Sequence, residues 1–153
     1  MKVHLSINND PINNYVNITS AGGEGRVACD FRNMDHICQA ACAEEFYAPD
    51  MLDYVHGSQI IHVLKYWVSR LRKGGKIIVG GTDLFEFCKG VVSGQLNCVE
   101  ANKVIFNDLN ISPFLKQGLF VWSDIELMLT ELGLKVIHKR ISNRKFTIEA
   151  HRI

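Results

Sequence analysis

The segment from Ile60 to Val79, IIHVLKYWVSRLRKGGKIIV, decides the fold class, because it joins an amphipathic helix to a buried strand. Its apolar residues recur at helical spacing as far as Leu71, which predicts a helix with one apolar face. The pair Gly74–Gly75 ends that helix, and the apolar run Lys76–Val79 predicts a buried strand. A helix that leads through a tight turn into a strand is half of a βαβ crossover, so the segment predicts a mainly parallel sheet.

Four short strands are predicted ahead of this helix, each ending at residues that break regular structure. The first strand runs into the cluster Asn8–Pro11, and the second begins as early as Tyr15. The connection between them is too short for a full helix lying across a sheet. The predicted strands are Val3–Ile7, Tyr15–Ile18, Arg26–Cys29 and Glu45–Ala48.

Helices and strands alternate in the second half of the chain. Capping boxes at Asp83–Glu86 and Ser123–Glu126 predict two helix starts, and Gln95–Asn107 is a third helical segment. Leu134–Ile141 and Lys145–His151 are predicted to pair as an antiparallel hairpin. The whole pattern predicts an α/β protein with helices on the faces of the sheet.

Composition narrows the class of protein. The 153 residues, 47% apolar and 22% charged, predict one soluble domain over residues 1–153. A net charge of +1 argues against nucleic acid or an anionic membrane as partner. We expect no membrane span and no secretion signal. Five cysteines without a disulfide spacing favour a reducing compartment, so the predicted location is cytoplasmic.

The order of these segments resembles the S-adenosylmethionine-dependent (SAM-dependent) methyltransferases, in particular a short, type-11-like subgroup. Val3–Pro11 followed by Tyr15–Ile18 is similar to the family's first strand, Gly-x-Gly loop and second strand. Leu71–Val79 is similar to the family's glycine turn into its fifth strand. The resemblance also covers Cys29–Arg32, Glu45–Tyr54 and Leu129–Leu134. It implies a three-layer Rossmann-like methyltransferase fold with a mainly parallel sheet and an antiparallel C-terminal hairpin strand.

The resemblance further implies SAM as cofactor, with a degenerate binding motif. Asn8 and Asp10 stand where the family has two glycines, and Thr19 stands where it has a ribose-binding acid, whereas the adenine-reading Asp30 is retained. Two alternatives stay open, since Asn8 and Asp10 can form an Asx-type turn and Asp30 can be a plain turn residue. The positions that match cofactor contacts are Ser6, Ile7, Asn8, Asn9, Asp10, Thr19, Asp30, Phe31 and Pro49.

Candidate catalytic residues follow the fourth strand. Asp50, Asp53 and His56 lie at the carboxyl edge, where open α/β sheets bind ligands, and one of them can serve as general base. The alternative is a solvated helix start. Cys38 and Cys42 are predicted to be packed thiols without a metal, because a zinc pair with a nearby histidine would lack a fourth ligand at normal spacing.

Two functional hypotheses follow. The first is a methyltransferase that acts on a small-molecule or glycan-type acceptor. The second is a methyltransferase-like subunit that has lost SAM and binds or assembles, either as a homo-oligomer or with a protein partner. A further alternative is that the crevice binds another nucleotide or nucleoside.

Overall fold

The computed structural model describes residues 1–7, 9–108 and 114–153, and its strands form one sheet. The strands are β1 (Lys2–Leu5), β2 (Val16–Thr19), β3 (Val27–Ala28), β4 (Ala43–Ala48), β5 (Leu71–Thr82), β6 (Leu134–Ser142) and β7 (Lys145–Arg152). Their order across the sheet is β3-β2-β1-β4-β5-β7-β6. β1 to β5 pair in parallel, whereas β7 is antiparallel to β5 and β6. The mainly parallel sheet with an antiparallel C-terminal hairpin is therefore as predicted.

The helices of the described residues all follow β4. They are α1 (Ile60–Arg70), α2 (Leu84–Val92), α3 (Cys98–Phe106) and α4 (Trp122–Glu131), and two 3₁₀ turns at Met51–Tyr54 and Gly57–Gln59 precede α1. α1 packs against β5, and α4 packs against β6 and β7. The predicted βαβ crossover is thus formed by β4, α1 and β5. The predicted end of the helix at Gly74–Gly75 is wrong, because Leu71 already has an extended backbone (φ −68°, ψ 135°), so α1 ends at Arg70 and both glycines lie within β5.

The main core lies between the sheet and these helices. Val3, Phe46 and Ile77 pair across β1, β4 and β5, so their side chains share one face of the sheet, and all three are fully buried. Trp67 of α1 covers Phe46, with ring centroids 5.4 Å apart. The Trp67 indole N–H donates to the Phe31 carbonyl at 2.9 Å, so its burial leaves no unpaired donor.

The connection from β1 to β2 is short, as predicted, and its described residues contain no helix. Asn17, on β2, supplies the hydrogen bonds that hold it. Its amide oxygen accepts from the Ile12 N–H at 2.8 Å, and its amide nitrogen donates to the carbonyls of Ile12 and Tyr15 at 3.0 and 3.1 Å. One buried side chain therefore fixes a loop at the place where a full three-layer fold has a helix.

The helix starts differ from prediction in two cases. The segment predicted from Gln95 begins only at Cys98, because the Asn97 side chain accepts from the Glu100 N–H and caps α3 there.

The prediction of a capping box at Ser123–Glu126 is also wrong, because α4 begins at Trp122 and no side chain of its own first turn caps it. Asp83 caps it instead: one carboxylate oxygen accepts from the Trp122 N–H at 2.9 Å. The other oxygen accepts from the Glu86 N–H at 3.0 Å and caps α2. The second bond of the predicted box is absent, because the Asp83 N–H donates to the Arg144 carbonyl at 2.8 Å.

Candidate functional site

The sequence-predicted site residues that the structure describes lie along the carboxyl ends of the parallel strands. Ser6 follows β1 and donates its N–H to the Ile18 carbonyl of β2 at 3.1 Å. The Cys29 N–H, just after β3, donates to the Thr19 carbonyl at 2.9 Å. These bonds bring the ends of β1, β2 and β3 together, which is the edge where such sheets bind ligands.

The loop after β1 is bonded to the loop between β2 and β3. Arg26 donates from Nε and Nη2 to the Asn9 carbonyl at 3.2 and 3.0 Å. The same guanidinium lies 3.9 Å from the Asp10 carboxylate, whose side chain is otherwise fully exposed. Ile7 is half-buried against the core, and Asn8 lies outside the described residues. Arg26 therefore joins the loop after β1 to the loop between β2 and β3. No sequence pattern predicts this contact.

Thr19 occupies the position of the family's ribose-binding acid. Its side chain is buried, with 3% of the residue exposed. The hydroxyl donates to the Gly22 carbonyl at 3.3 Å and accepts from the Gly22 N–H at 2.9 Å. The Thr19 hydroxyl thus makes a donor and an acceptor bond within one turn.

Asp30 forms a two-pronged ion pair with Arg32. Arg32 donates from Nε and Nη2 to the two carboxylate oxygens at 3.0 and 2.9 Å, and its backbone N–H adds a bond at 2.9 Å. These hydrogen bonds hold the pKa of Asp30 below its ordinary value, so the carboxylate is ionised at neutral pH. The pair is exposed to solvent, so a ligand can displace Arg32 at small cost.

The three candidate catalytic residues point to different partners. Asp50 is half-exposed, with one oxygen 3.5 Å from the Lys145 ammonium. His56 is exposed, and its Nδ1 accepts from the Ser58 N–H at 3.2 Å. Asp53 is buried, and its carboxylate oxygens accept from the Thr82 N–H at 2.6 Å and the Thr82 hydroxyl at 2.9 Å.

Lys116 is a site residue that sequence reasoning missed. Its ammonium lies 3.1 Å from the Asp53 carboxylate, and both side chains are almost fully buried. The Asp53 carbonyl also accepts from the N–H groups of Gln117 and Gly118 at 2.7 and 3.2 Å. Asp53 therefore fastens the segment 116–118 across the carboxyl edge of the sheet. A lone lysine in a segment without periodicity carries no sequence signal of such a contact.

The glycines after Val79 make this arrangement possible. A Cβ atom on Gly81 would lie 2.8 Å from an Asp53 carboxylate oxygen, which is closer than a Cβ atom can approach another heavy atom. A Cβ on Gly80 would collide with the carbonyl of Pro49. β5 therefore carries two glycines where Pro49 and the turn after β4 lie against it.

Cavities at this edge are small. One of about 70 Å³ lies among Phe31, Tyr54 and His56, between the ends of β3 and β4. A more open groove of about 300 Å³ adjoins it along α1 and is bordered by Arg32 and Tyr66. Ligand pockets usually measure about 300–1,000 Å³, so the groove reaches the lower end of that range.

The predicted thiols are adjacent. The Sγ atoms of Cys38 and Cys42 lie 3.2 Å apart, and both cysteines are free. Burial raises the pKa of Cys38 to about 12, so its thiol stays protonated and is a weak metal ligand.

Among the residues that the structure describes, none of the helices has both the length and the apolar character of a membrane span.

Solved structures of the same fold are found by comparison, although no family model and no curated protein matches the chain. A Pyrococcus horikoshii protein, PH0226, has a TM-score of 0.59 at 14% identity over 84% of this chain. The 1,6-didemethyltoxoflavin N1-methyltransferase of Burkholderia thailandensis, solved with S-adenosylhomocysteine, has a TM-score of 0.59 at 11% identity over 90%. A SAM-dependent methyltransferase of Archaeoglobus fulgidus has a TM-score of 0.59 at 9% identity.

The chain therefore has the Rossmann-like methyltransferase fold. The chain spans 59% and 60% of the lengths of the first two proteins. The match to the third protein covers 76% of that protein and 90% of this chain. Its departure from a full three-layer arrangement lies in the β1–β2 and β2–β3 connections, whose described residues form loops.

SAM is the cofactor that this fold implies, and the residues present fit it poorly. The loop after β1 is tied to Arg26, and the Thr19 hydroxyl is paired with Gly22 at the ribose position. The adenine position is better preserved, because Asp30 is exposed beside the small cavity at Phe31. At two of the three positions that the resemblance assigns to cofactor contacts, at the ends of β1 and β2, described groups are thus already bonded within the chain.

Proposed function

We propose that this chain is a methyltransferase-fold protein that works as a binding or assembly subunit and no longer holds SAM. The observation that supports it is the internal pairing at the ends of β1 and β2. Asn9 is bonded to Arg26, and Thr19 is bonded to Gly22. A site that holds SAM needs these groups, or acidic ones in their place, free to face the ligand.

The energetics favour the same proposal. Opening the Thr19 turn would break two hydrogen bonds of a buried hydroxyl, and each buried polar group left unpaired costs about 1–3 kcal/mol. A neutral hydroxyl regains less from a ribose than a carboxylate, which accepts through two oxygens. Binding SAM in the family's manner would therefore lose more hydrogen-bond free energy at Thr19 than it regains from the ribose.

The test is titration calorimetry of the chain with SAM and with S-adenosylhomocysteine at millimolar ligand. We expect no binding heat from either, while an active SAM-dependent methyltransferase of the same fold, measured in the same buffer, gives a normal isotherm. Light scattering and co-purification from the native host then report the assembly state. Saturable SAM binding together with methyl transfer by an isolated monomer would exclude this proposal.

A second candidate function is methyl transfer to a small-molecule or glycan-type acceptor. It is favoured by the exposed Asp30 beside the cavity at Phe31 and by the likeness to solved methyltransferases. SAM would supply the methyl group, with Asp30 and Phe31 holding its adenine end. Asp50 and His56 are the accessible candidates for general base, whereas Asp53 is held by Lys116 and Thr82.

Two variants separate this candidate from the first. If it is correct, Asp30→Ala weakens SAM binding, and His56→Ala lowers methyl transfer while SAM binding stays intact. Glu131→Ala is the matched control, since Glu131 is an exposed carboxylate at the end of α4 and is none of the predicted site residues. Equal calorimetric traces for the chain and both variants, with no heat above dilution, rule out the second candidate.

A further inference from the structure

The face of the sheet opposite α1 and α4 carries a continuous row of polar side chains. Residues paired in register project from the same face of a sheet. One row crosses five strands in the order β1, β4, β5, β7, β6, and it consists of Lys2, Glu45, Lys76, His151 and Lys135. The next row consists of Asn17, His4, Tyr47, Ile78, Glu149 and His138. We call this surface the polar sheet face.

Part of the polar sheet face is covered by the chain itself. The loop that Asn17 holds lies at the β1–β2 end, where His4 is 1% exposed. The Tyr15 hydroxyl donates to the Glu45 carboxylate, and burial with this hydrogen bond raises the pKa of Tyr15 to about 12. The face is more open toward β7 and β6, where the His151 side chain is 42% exposed and Lys135 is exposed.

An open face is unusual for a mainly parallel sheet, because such sheets occur almost always with both faces covered. In this chain the β1–β2 and β2–β3 connections form loops in their described residues, so they contribute no helix to that side. Apart from Ile78, the side chains of the two rows are polar, charged or aromatic, which suits a polar partner surface better than an apolar one.

The charge of the open part is positive. Glu45 is shared by Lys2 and Lys76, at 3.7 and 3.6 Å, so its carboxylate is already balanced. Lys135 and Arg140 on β6 are exposed, and neither makes an ion pair with another residue of the described chain. Arg140 pairs with Thr147, two residues from Glu149 along β7, so it also belongs to the polar sheet face. An anionic surface would complement this end of the face.

We propose that the polar sheet face docks a partner protein through an anionic helical surface, which takes the place of the second helix layer. This inference rests on the proposed binding role and names its partner class. A second copy of the chain would bring two positive surfaces together. A nucleic acid would place phosphates beside the Glu149 carboxylate, so a protein with mixed but mainly negative charge fits best.

The test uses the full chain as bait in extracts of the native host. The face variant is Lys135→Glu/Arg140→Glu, and the matched control is Lys65→Glu/Lys73→Glu, which reverses two exposed lysines outside the face. All four side chains are exposed, so we expect equal melting temperatures for the three proteins. Proteins recovered with the chain and the control, and lost with the face variant, are then produced separately.

The purified partner is titrated against all three proteins at low and high salt. We expect the face variant to bind about tenfold or more weakly than the control, with stronger binding at low salt, since charge pairs steer and hold such complexes. Hydrogen exchange should show protection in β6 and β7 on binding.

Three outcomes would overturn the proposal: no protein whose recovery depends on the face, recovered material that is nucleic acid, or a homodimer that the face variant dissociates. None of them depends on SAM, so a failure here is distinguishable from a failure of the proposed function, which calorimetry with SAM decides.

Discussion

Asp53 shows how one residue at a ligand-binding edge can be committed to structure. Its carboxylate is buried against Lys116 and Thr82. Removing one partner of a buried ion pair leaves the other charge uncompensated, which costs about 3–5 kcal/mol. We therefore expect Lys116→Met and Asp53→Asn each to lower the free energy of unfolding by about that amount. Urea denaturation followed by circular dichroism measures both.

The double variant supplies the control, because it removes the pair as a unit. Its loss of stability should be clearly smaller than the sum of the single losses, as expected for residues in direct contact. Asp50→Asn breaks the exposed pair with Lys145 and should cost less than about 1 kcal/mol. Strict additivity of the two single losses would show that the Asp53–Lys116 contact does not contribute as proposed.

At the scale of elements, Asp83 links two helices that are far apart in sequence. It is 1% exposed, and its two oxygens cap α2 at Glu86 and α4 at Trp122. Losing one N-cap costs about 0.5–2 kcal/mol, so Asp83→Ala should cost about twice the effect of a single cap. Asp83→Asn keeps one acceptor oxygen and should give an intermediate loss in urea denaturation.

Asn97 is the matched comparison for that prediction, since its side chain caps α3 alone. Asn97→Ala should lower the free energy of unfolding by about one cap, 0.5–2 kcal/mol. If Asp83→Ala and Asn97→Ala cost the same, the bond from Asp83 to the start of α4 contributes nothing measurable.

The elements also show what the sequence could and could not predict. The helix α1 and the closing hairpin were predictable, because their apolar periodicity is a local signal. The end of α1 was not, since the Gly74–Gly75 pair that was predicted to end it lies within β5. The start of α4 was not, because its cap comes from Asp83, a residue 39 positions away. The apolar run at Ile78 predicted a buried strand, whereas Ile78 is only half-buried on the polar sheet face. A local sequence pattern therefore predicts the strand, but it does not predict which elements pack against its two faces.

At the scale of the whole molecule, the fold was predictable and the candidate site was predictable in part. The ordered segments implied the methyltransferase fold, and the predicted cofactor positions that are described lie along one edge of the sheet. Their partners were not predictable, because Arg26, Gly22 and Lys116 reach them through loops without periodicity. The short β1–β2 connection was the one early sign of a reduced helix layer.

Restoring the family's residues tests whether the loss of SAM binding lies in those residues or in the architecture. The triple variant Asn8→Gly/Asp10→Gly/Thr19→Asp recreates the glycines and the ribose acid. In full Rossmann-type folds the glycine loop leads into a helix whose N-terminus faces the ligand. Here the described part of that connection is a loop held by Asn17 and Arg26. We therefore expect no calorimetric binding of SAM or S-adenosylhomocysteine by the triple variant.

The double variant Asn8→Gly/Asp10→Gly keeps Thr19, whose burial makes its replacement by an acid costly, and so provides a folded comparison. Circular dichroism and melting curves establish that each variant is native before titration. Saturable binding by the native triple variant would place the defect in three side chains and would weaken the architectural explanation. If neither native variant binds SAM, the defect lies in the connection between β1 and β2, whose length the three substitutions leave unchanged.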